Sequence, residues 1–201
     1  MKKSLLVVCC MALFSASSVQ ADPILYQAAL TGAAEVTDTG SPGLGTVLVS
    51  YDASQHMMGV LAAFNGLTAP TLAAHIHCCI DPPGAAGVAT TVPTFPGFPS
   101  GVMSGSYDQS FDLTDPMSYN PAFLTANGAS TAMAEMTLTG GLASGRAYFN
   151  IHTSTFPTGE IRGFLTAVGS PSPVPEPTSV VLLSTGLVAA VGLRLRRRKK
   201  G

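Results

Sequence analysis

The chain has 201 residues, with ten Lys and Arg against eleven Asp and Glu, a formal net charge of −1, and 46% hydrophobic residues. Eight of the ten cations sit at the two ends, so the stretch between them holds only Arg146 and Arg162 against ten acids, about −8 in net charge. A body so acidic, with no lysine, excludes a surface built to hold nucleic acid or anionic lipid, and it suits solubility.

The first residues carry Lys2 and Lys3, then an apolar run from Leu5 to Phe14 that is too short to span a bilayer. Val19-Gln20-Ala21 follows, with slim residues where signal peptidase needs them. The segment 1–21 therefore reads as a secretion signal helix cut between Ala21 and Asp22. A lipoprotein cut before Cys9 or Cys10 would place bulky Val8 where a small residue is wanted.

The body, 22–168, is long enough for one domain with a single core. Ile24–Leu30 and Gly45–Tyr51 read as strands. Asp52-Ala53-Ser54-Gln55 is a turn, and Met57–Phe64 returns as a hairpin partner. Leu72–Ile80 is a fourth strand, ended by Asp81-Pro82-Pro83-Gly84, and a loop rich in Pro, Thr and Gly runs from Ala85 to Gly101. Ser104–Leu113 is another strand. Ser118–Leu142, rich in Ala, Met and Leu, carries one or two short helices. Arg146–Thr153 and Glu160–Val168 close the domain as a hairpin. Many short strands with turn signals and no βαβ rhythm predict an all-β body, an antiparallel Greek-key-like β-sandwich or barrel.

His75-Ile76-His77 places two imidazoles on one face of a strand, because side chains repeat every two residues, and turns Ile76 and Cys78 to the other face, towards the core. Tyr148-Phe149-Asn150-Ile151-His152 has the same pattern, with Phe149 and Ile151 apolar and Tyr148, Asn150 and His152 polar. If the two strands are neighbours, His75, His77 and His152 converge on one outward-facing patch, a reasonable copper or zinc site. A hydrogen-bonded polar cluster meets the same geometry. Tyr148 and Asn150 are either donors behind the ligands or a solvated strand face. His56 has no role. Glu160 and Arg162 share a face, and Arg162 is expected to pair locally.

Cys78 and Cys79 are sequence neighbours, closer than the usual disulfide span. Four states are open to them: a strained vicinal disulfide, two thiols, metal ligation, or pairing between molecules.

The segment 169–177, GSPSPVPEP, is a stiff Pro-rich linker. Within 178–201, an apolar stretch ending at Leu193 precedes the basic run Arg194–Lys200. This reads as a transmembrane helix with its tail in the cytoplasm and the body outside.

Val174-Pro175-Glu176-Pro177, the apolar stretch and the basic tail together resemble the PEP-CTERM sorting signal of Gram-negative bacteria. The resemblance implies an exosortase as processing partner, removal of the anchor, and a biofilm or exopolysaccharide setting. In the body, Ala74-His75-Ile76-His77, Tyr148–Thr153 and Phe156-Pro157-Thr158-Gly159-Glu160-Ile161-Arg162-Gly163 resemble the CHRD domain, named for chordin. That implies an immunoglobulin-like or barrel fold and no established enzymatic activity. The three histidines are also similar to part of the copper-zinc superoxide dismutase site, without a fourth copper ligand or the His- and Asp-rich zinc loop.

With no nucleophile elbow, phosphate loop or paired carboxylates, the expectation is a non-enzymatic extracellular or cell-surface module whose outside partner the sequence does not name. The alternative is a metal-binding protein on His75, His77 and His152, extending to a dismutase-like redox enzyme.

Overall fold

A computed structural model describes residues 22–169. The expected signal and transmembrane helices lie outside the described residues. Among those described, no helix is long and apolar enough to cross a membrane.

Eight strands and two short α-helices make up the body. In chain order the elements are β1 (Ile24–Thr31), β2 (Leu44–Asp52), β3 (Met57–Asn65), β4 (Thr71–Cys78), β5 (Gly105–Asp112), α1 (Pro121–Ala126), α2 (Thr131–Ala143), β6 (Ala147–Thr153), β7 (Ile161–Phe164) and β8 (Thr166–Ala167). The strands form one antiparallel sheet in the order β4-β6-β7-β1-β2-β3-β5, with β8 also on β1. The sheet curves as an antiparallel half-barrel, within the all-β antiparallel class that the sequence predicts.

The expected final strand, Glu160–Val168, is divided in two. Leu165 turns its N–H to Ala147 O of β6, whereas Thr166 and Ala167 pair with β1. The turn after β2 forms because Asp52 Oδ1 accepts from the N–H groups of Ser54 and Gln55. His56 then takes a left-handed φ of +54° before β3 begins. Each α-helix starts at a side-chain cap, Asn120 for α1 and Ser130 for α2.

Alternation of faces along the strands determines the core. In β3, Met58, Val60, Ala62 and Phe64 are buried while Leu61, Ala63 and Asn65 are exposed. Opposite them in register stand Tyr51, Val49, Val47 and Gly45 of β2. The loop between β4 and β5 lies along the β4 edge, where Ala89 and Phe95 donate their N–H groups to Ile76 O and Ala74 O. Its Phe95 is fully buried, with ring centroids 5.1 Å from Phe111, 5.9 Å from Tyr107 and 6.0 Å from Phe149. Irregular backbone carrying two aromatic anchors, Phe95 and Phe98, thus fills the gap between the β4 and β5 ends of the sheet. The core also takes in Ala134, Leu138 and Leu142 of α2.

The half of the sheet formed by β4, β6 and β7 differs from the rest. All seven residues of β6 are buried. One face of this half, with Ile76, Phe149, Ile151 and Ile161, belongs to the core. The other face is polar and roofed by loops, and the histidines lie there.

Candidate metal centre

Strand register assembles this polar face. Antiparallel pairing of β4 with β6 sets Ala73 opposite His152, His75 opposite Asn150 and His77 opposite Tyr148, and β7 adds Arg162 opposite Asn150. Residues opposite each other on one face have β-carbons about 5 Å apart, so the three imidazoles meet. Their ring centroids are separated by 5.2 Å (His75–His152), 5.7 Å (His77–His152) and 5.9 Å (His75–His77). Each ring offers one nitrogen to a set lying within 4.8 Å of one another.

The patch is not outward-facing as expected from its polarity. His75, His77 and His152 are 6%, 7% and 9% exposed, and Tyr148 and Asn150 are each 2% exposed. The physical reason is the two loops that cross above them, and each imidazole donates one N–H to a loop carbonyl. His75 Nε2 bonds Pro93 O at 2.8 Å, His77 Nδ1 bonds Ala86 O at 2.9 Å, and His152 Nδ1 bonds Pro157 O at 3.0 Å. A carbonyl only accepts, so these bonds fix the tautomers. The lone pairs are left on His75 Nδ1, His77 Nε2 and His152 Nε2, all three buried and without a partner.

Electrostatics keep the rings neutral. Burial pushes His75 down to about 4, helped by His152 and opposed by the Pro93 carbonyl. Burial also brings His77 down to about 4, against the Ala86 carbonyl and with help from His152, His75 and Arg162. His152 is lowered by burial despite its bond to Pro157. The chemistry on offer is three uncharged nitrogen donors in a buried site, each oriented from behind by a backbone oxygen, as in protein sites for zinc and copper.

Arg162 does not pair locally. Its guanidinium is 1% exposed and donates to Ala34 O, Pro83 O and Gly84 O at 2.6, 2.7 and 2.9 Å. It lies 3.6 Å from Glu35 and over the Tyr148 ring at 4.8 Å. A buried cation in a body with only two arginines requires a carboxylate partner, but nothing in the sequence separates Glu35 from the other nine acids. Glu160, on the same stretch as Arg162, bonds Ser41, Thr68 and Thr153 instead.

Cys78 and Cys79 are joined to each other as a vicinal disulfide. Cys78 faces away from His77, and the sulfurs press against α2 at Gly141, where a β-carbon would collide with both. His56 is apart from the trio, half exposed, with Nδ1 bonded to Glu135.

Residues 173–198 match the PEP-CTERM protein-sorting motif. The motif marks a membrane-anchored precursor handled by an exosortase, and so a protein exported to the cell surface. No curated protein and no solved structure matches the chain. Residues 26–165, well over half of the sequence and including the strands β4, β6 and β7 that carry the polar face, match the CHRD domain, and the chain belongs to the CHRD-domain family.

Proposed function

We propose that this surface protein is a metal-binding module, holding one copper or zinc ion on His75, His77 and His152. One observation carries the reading. Each ring gives one nitrogen to a loop carbonyl and keeps the other buried and unpartnered, and the three rings bring a nitrogen each to within 4.8 Å of one another. An uncompensated buried acceptor costs about 1–3 kcal/mol, and three together call for a shared partner. A cation uses all three lone pairs at once. Drawing the nitrogens from within 4.8 Å to the roughly 3.3 Å of a tetrahedral shell needs only small ring movements. Direct ring-to-ring hydrogen bonds would require a donor among the three free nitrogens, and the loop bonds leave none, so the rival occupant is a donating water.

Three histidines leave a coordination position free for an outside ligand. Export to the surface supports service in the matrix or in adhesion there.

Metal analysis of the full chain, after loading with copper or zinc and removal of excess, tests the proposal. One equivalent is expected, together with a rise in melting temperature on loading. His77→Ala and His152→Ala should each abolish both effects. Undiminished uptake in these variants, or no retention by the parent, would overturn the metal reading.

A further inference from the structure

Beside the histidines opens a cleft of about 340 Å³, walled in part by Glu35, Tyr148, Asn150, Phe156 and Arg162. Two of its polar atoms, Glu35 Oε1 and Asn150 Oδ1, are buried and have no hydrogen-bond partner. Both lie 2.6 Å from the point where a β-carbon on Gly159 would stand, so they are at most twice that distance apart. Gly159 has φ +131°, a conformation open to glycine alone, and a side chain there would collide with both groups. The cleft therefore keeps two unpartnered acceptors aimed at one small region, beside the Nδ2 group of the same Asn150 amide.

Charge and size narrow what the cleft can take. Against Arg162 stand Glu35, at 3.6 Å, and the exposed carboxyl of Asp38, so the lining holds no surplus of positive charge for an anion, while the buried guanidinium opposes a cation beside Glu35. Arg162 already gives three N–H groups to backbone carbonyls. The volume is about tenfold that of one water, whose share of liquid is about 30 Å³. The half-buried Phe156 ring adds an apolar wall. The occupant is then uncharged, of small-molecule size, rich in O–H donors and apolar on one face.

We propose that the cleft binds a neutral sugar ring, whose hydroxyls donate to Glu35 Oε1 and Asn150 Oδ1 and whose C–H face lies against Phe156. The site deepens the surface-module reading by naming a saccharide as what the module meets, and it does not depend on the metal.

The test is saturation-transfer NMR on the full chain in detergent, with glucose, galactose and N-acetylglucosamine at millimolar concentration and glucuronate as the charged comparison. At least one neutral sugar should show transfer and exceed glucuronate. Its affinity should fall about tenfold or more in Glu35→Met and in Asn150→Leu, the effect of one lost hydrogen bond. Should either variant fail to fold, Phe156→Ser on the turn carries the same expectation. Transfer should persist after chelation, which separates this site from the metal centre. No transfer from any of the three neutral sugars, equal binding in the variants, or preference for glucuronate would each overturn the proposal.

Discussion

Glu160 and Glu35 are two glutamates with buried side chains on neighbouring loops, and the fold treats them in opposite ways. Glu160 is fully buried, and its oxygens accept from Ser41 Oγ (2.6 Å), Thr68 N (2.6 Å), Thr68 Oγ1 (2.9 Å) and Thr153 Oγ1 (2.6 Å). Burial alone would raise its pKa, but these bonds outweigh burial and hold the carboxyl below the ordinary range. Glu35 has an arginine beside one oxygen and nothing on the other, and burial carries it up to about 7 despite Arg162. The same contrast separates Arg162, bonded to three carbonyls, from the three histidines, each left with a free lone pair. Where the chain fills every valence of a buried polar group, the group is part of the scaffold. Where it leaves one open beside a cleft, the group is available to something from outside.

The largest expected effect comes from removing the satisfied group. Glu160→Ala strands three hydroxyls and one backbone N–H that tie the loop after β1, the β3–β4 connection and β6 together. The expected loss is about 3–5 kcal/mol in chemical denaturation. A loss below about 1 kcal/mol would break the comparison, since Glu160 would then not be scaffold. Because its folded pKa is depressed, its contribution is present above the unfolded value near 4.5 and is lost as pH falls through the folded one.

Glu35 should show the opposite slope. Between about 4.5 and about 7 the folded state keeps its proton while the unfolded chain gives it up, so stability falls as pH rises through that window. Each displaced pKa unit is worth about 1.4 kcal/mol. The neutral histidines act in the other direction: His75 and His77, folded at about 4 and unfolded near 6.5, make stability rise with pH over that interval. The parent curve mixes the two, and the difference between parent and Glu35→Gln isolates the carboxyl. Urea denaturation at about pH 5 and about pH 8 should show the variant gaining on the parent at the higher pH. An unchanged difference would place Glu35 among ordinary exposed acids.

Much of the scaffold was legible because a period of two is hard to disguise. GTVLVSY and the run from Met57 to Phe64, joined by a four-residue turn, read as a hairpin, and the structure pairs them residue for residue. Period two also put His75 and His77 on one face, opposite Ile76. What it does not carry is which face meets water. A polar face reads as solvated, yet this one is roofed by loops whose carbonyls take the imidazole protons, and a backbone oxygen has no sequence signature. The adjacency of β4 and β6 is likewise non-local, set by a crossover that leaves β5 at the far end of the sheet. Glu35 was invisible for a different reason. It is one acid among ten in the body, and only the position of Arg162 distinguishes it.

The smallest effect belongs to the fourth histidine, and it sharpens the contrast from the other side. His56 has its side chain 52% exposed, with Nδ1 bonded to Glu135 at 2.9 Å. Its structural duties are mostly carried by backbone: φ is +54°, and its carbonyl accepts from Leu113 N at 2.8 Å. Asparagine is among the residues that adopt the left-handed region readily, so His56→Asn keeps the turn and the Leu113 bond while removing the imidazole. Glu135 retains the hydroxyl of Tyr51 at 2.7 Å, so its carboxylate is not left bare. An exposed polar contact of this kind contributes about 0.5–1 kcal/mol, and thermal denaturation should register a loss of that order. Metal stoichiometry should be unchanged, because His56 offers no nitrogen to the set formed by His75, His77 and His152. If His56→Asn reduced metal uptake as far as His77→Ala, uptake would be following histidine content at large, and burial with an open lone pair would no longer distinguish a site from a scaffold.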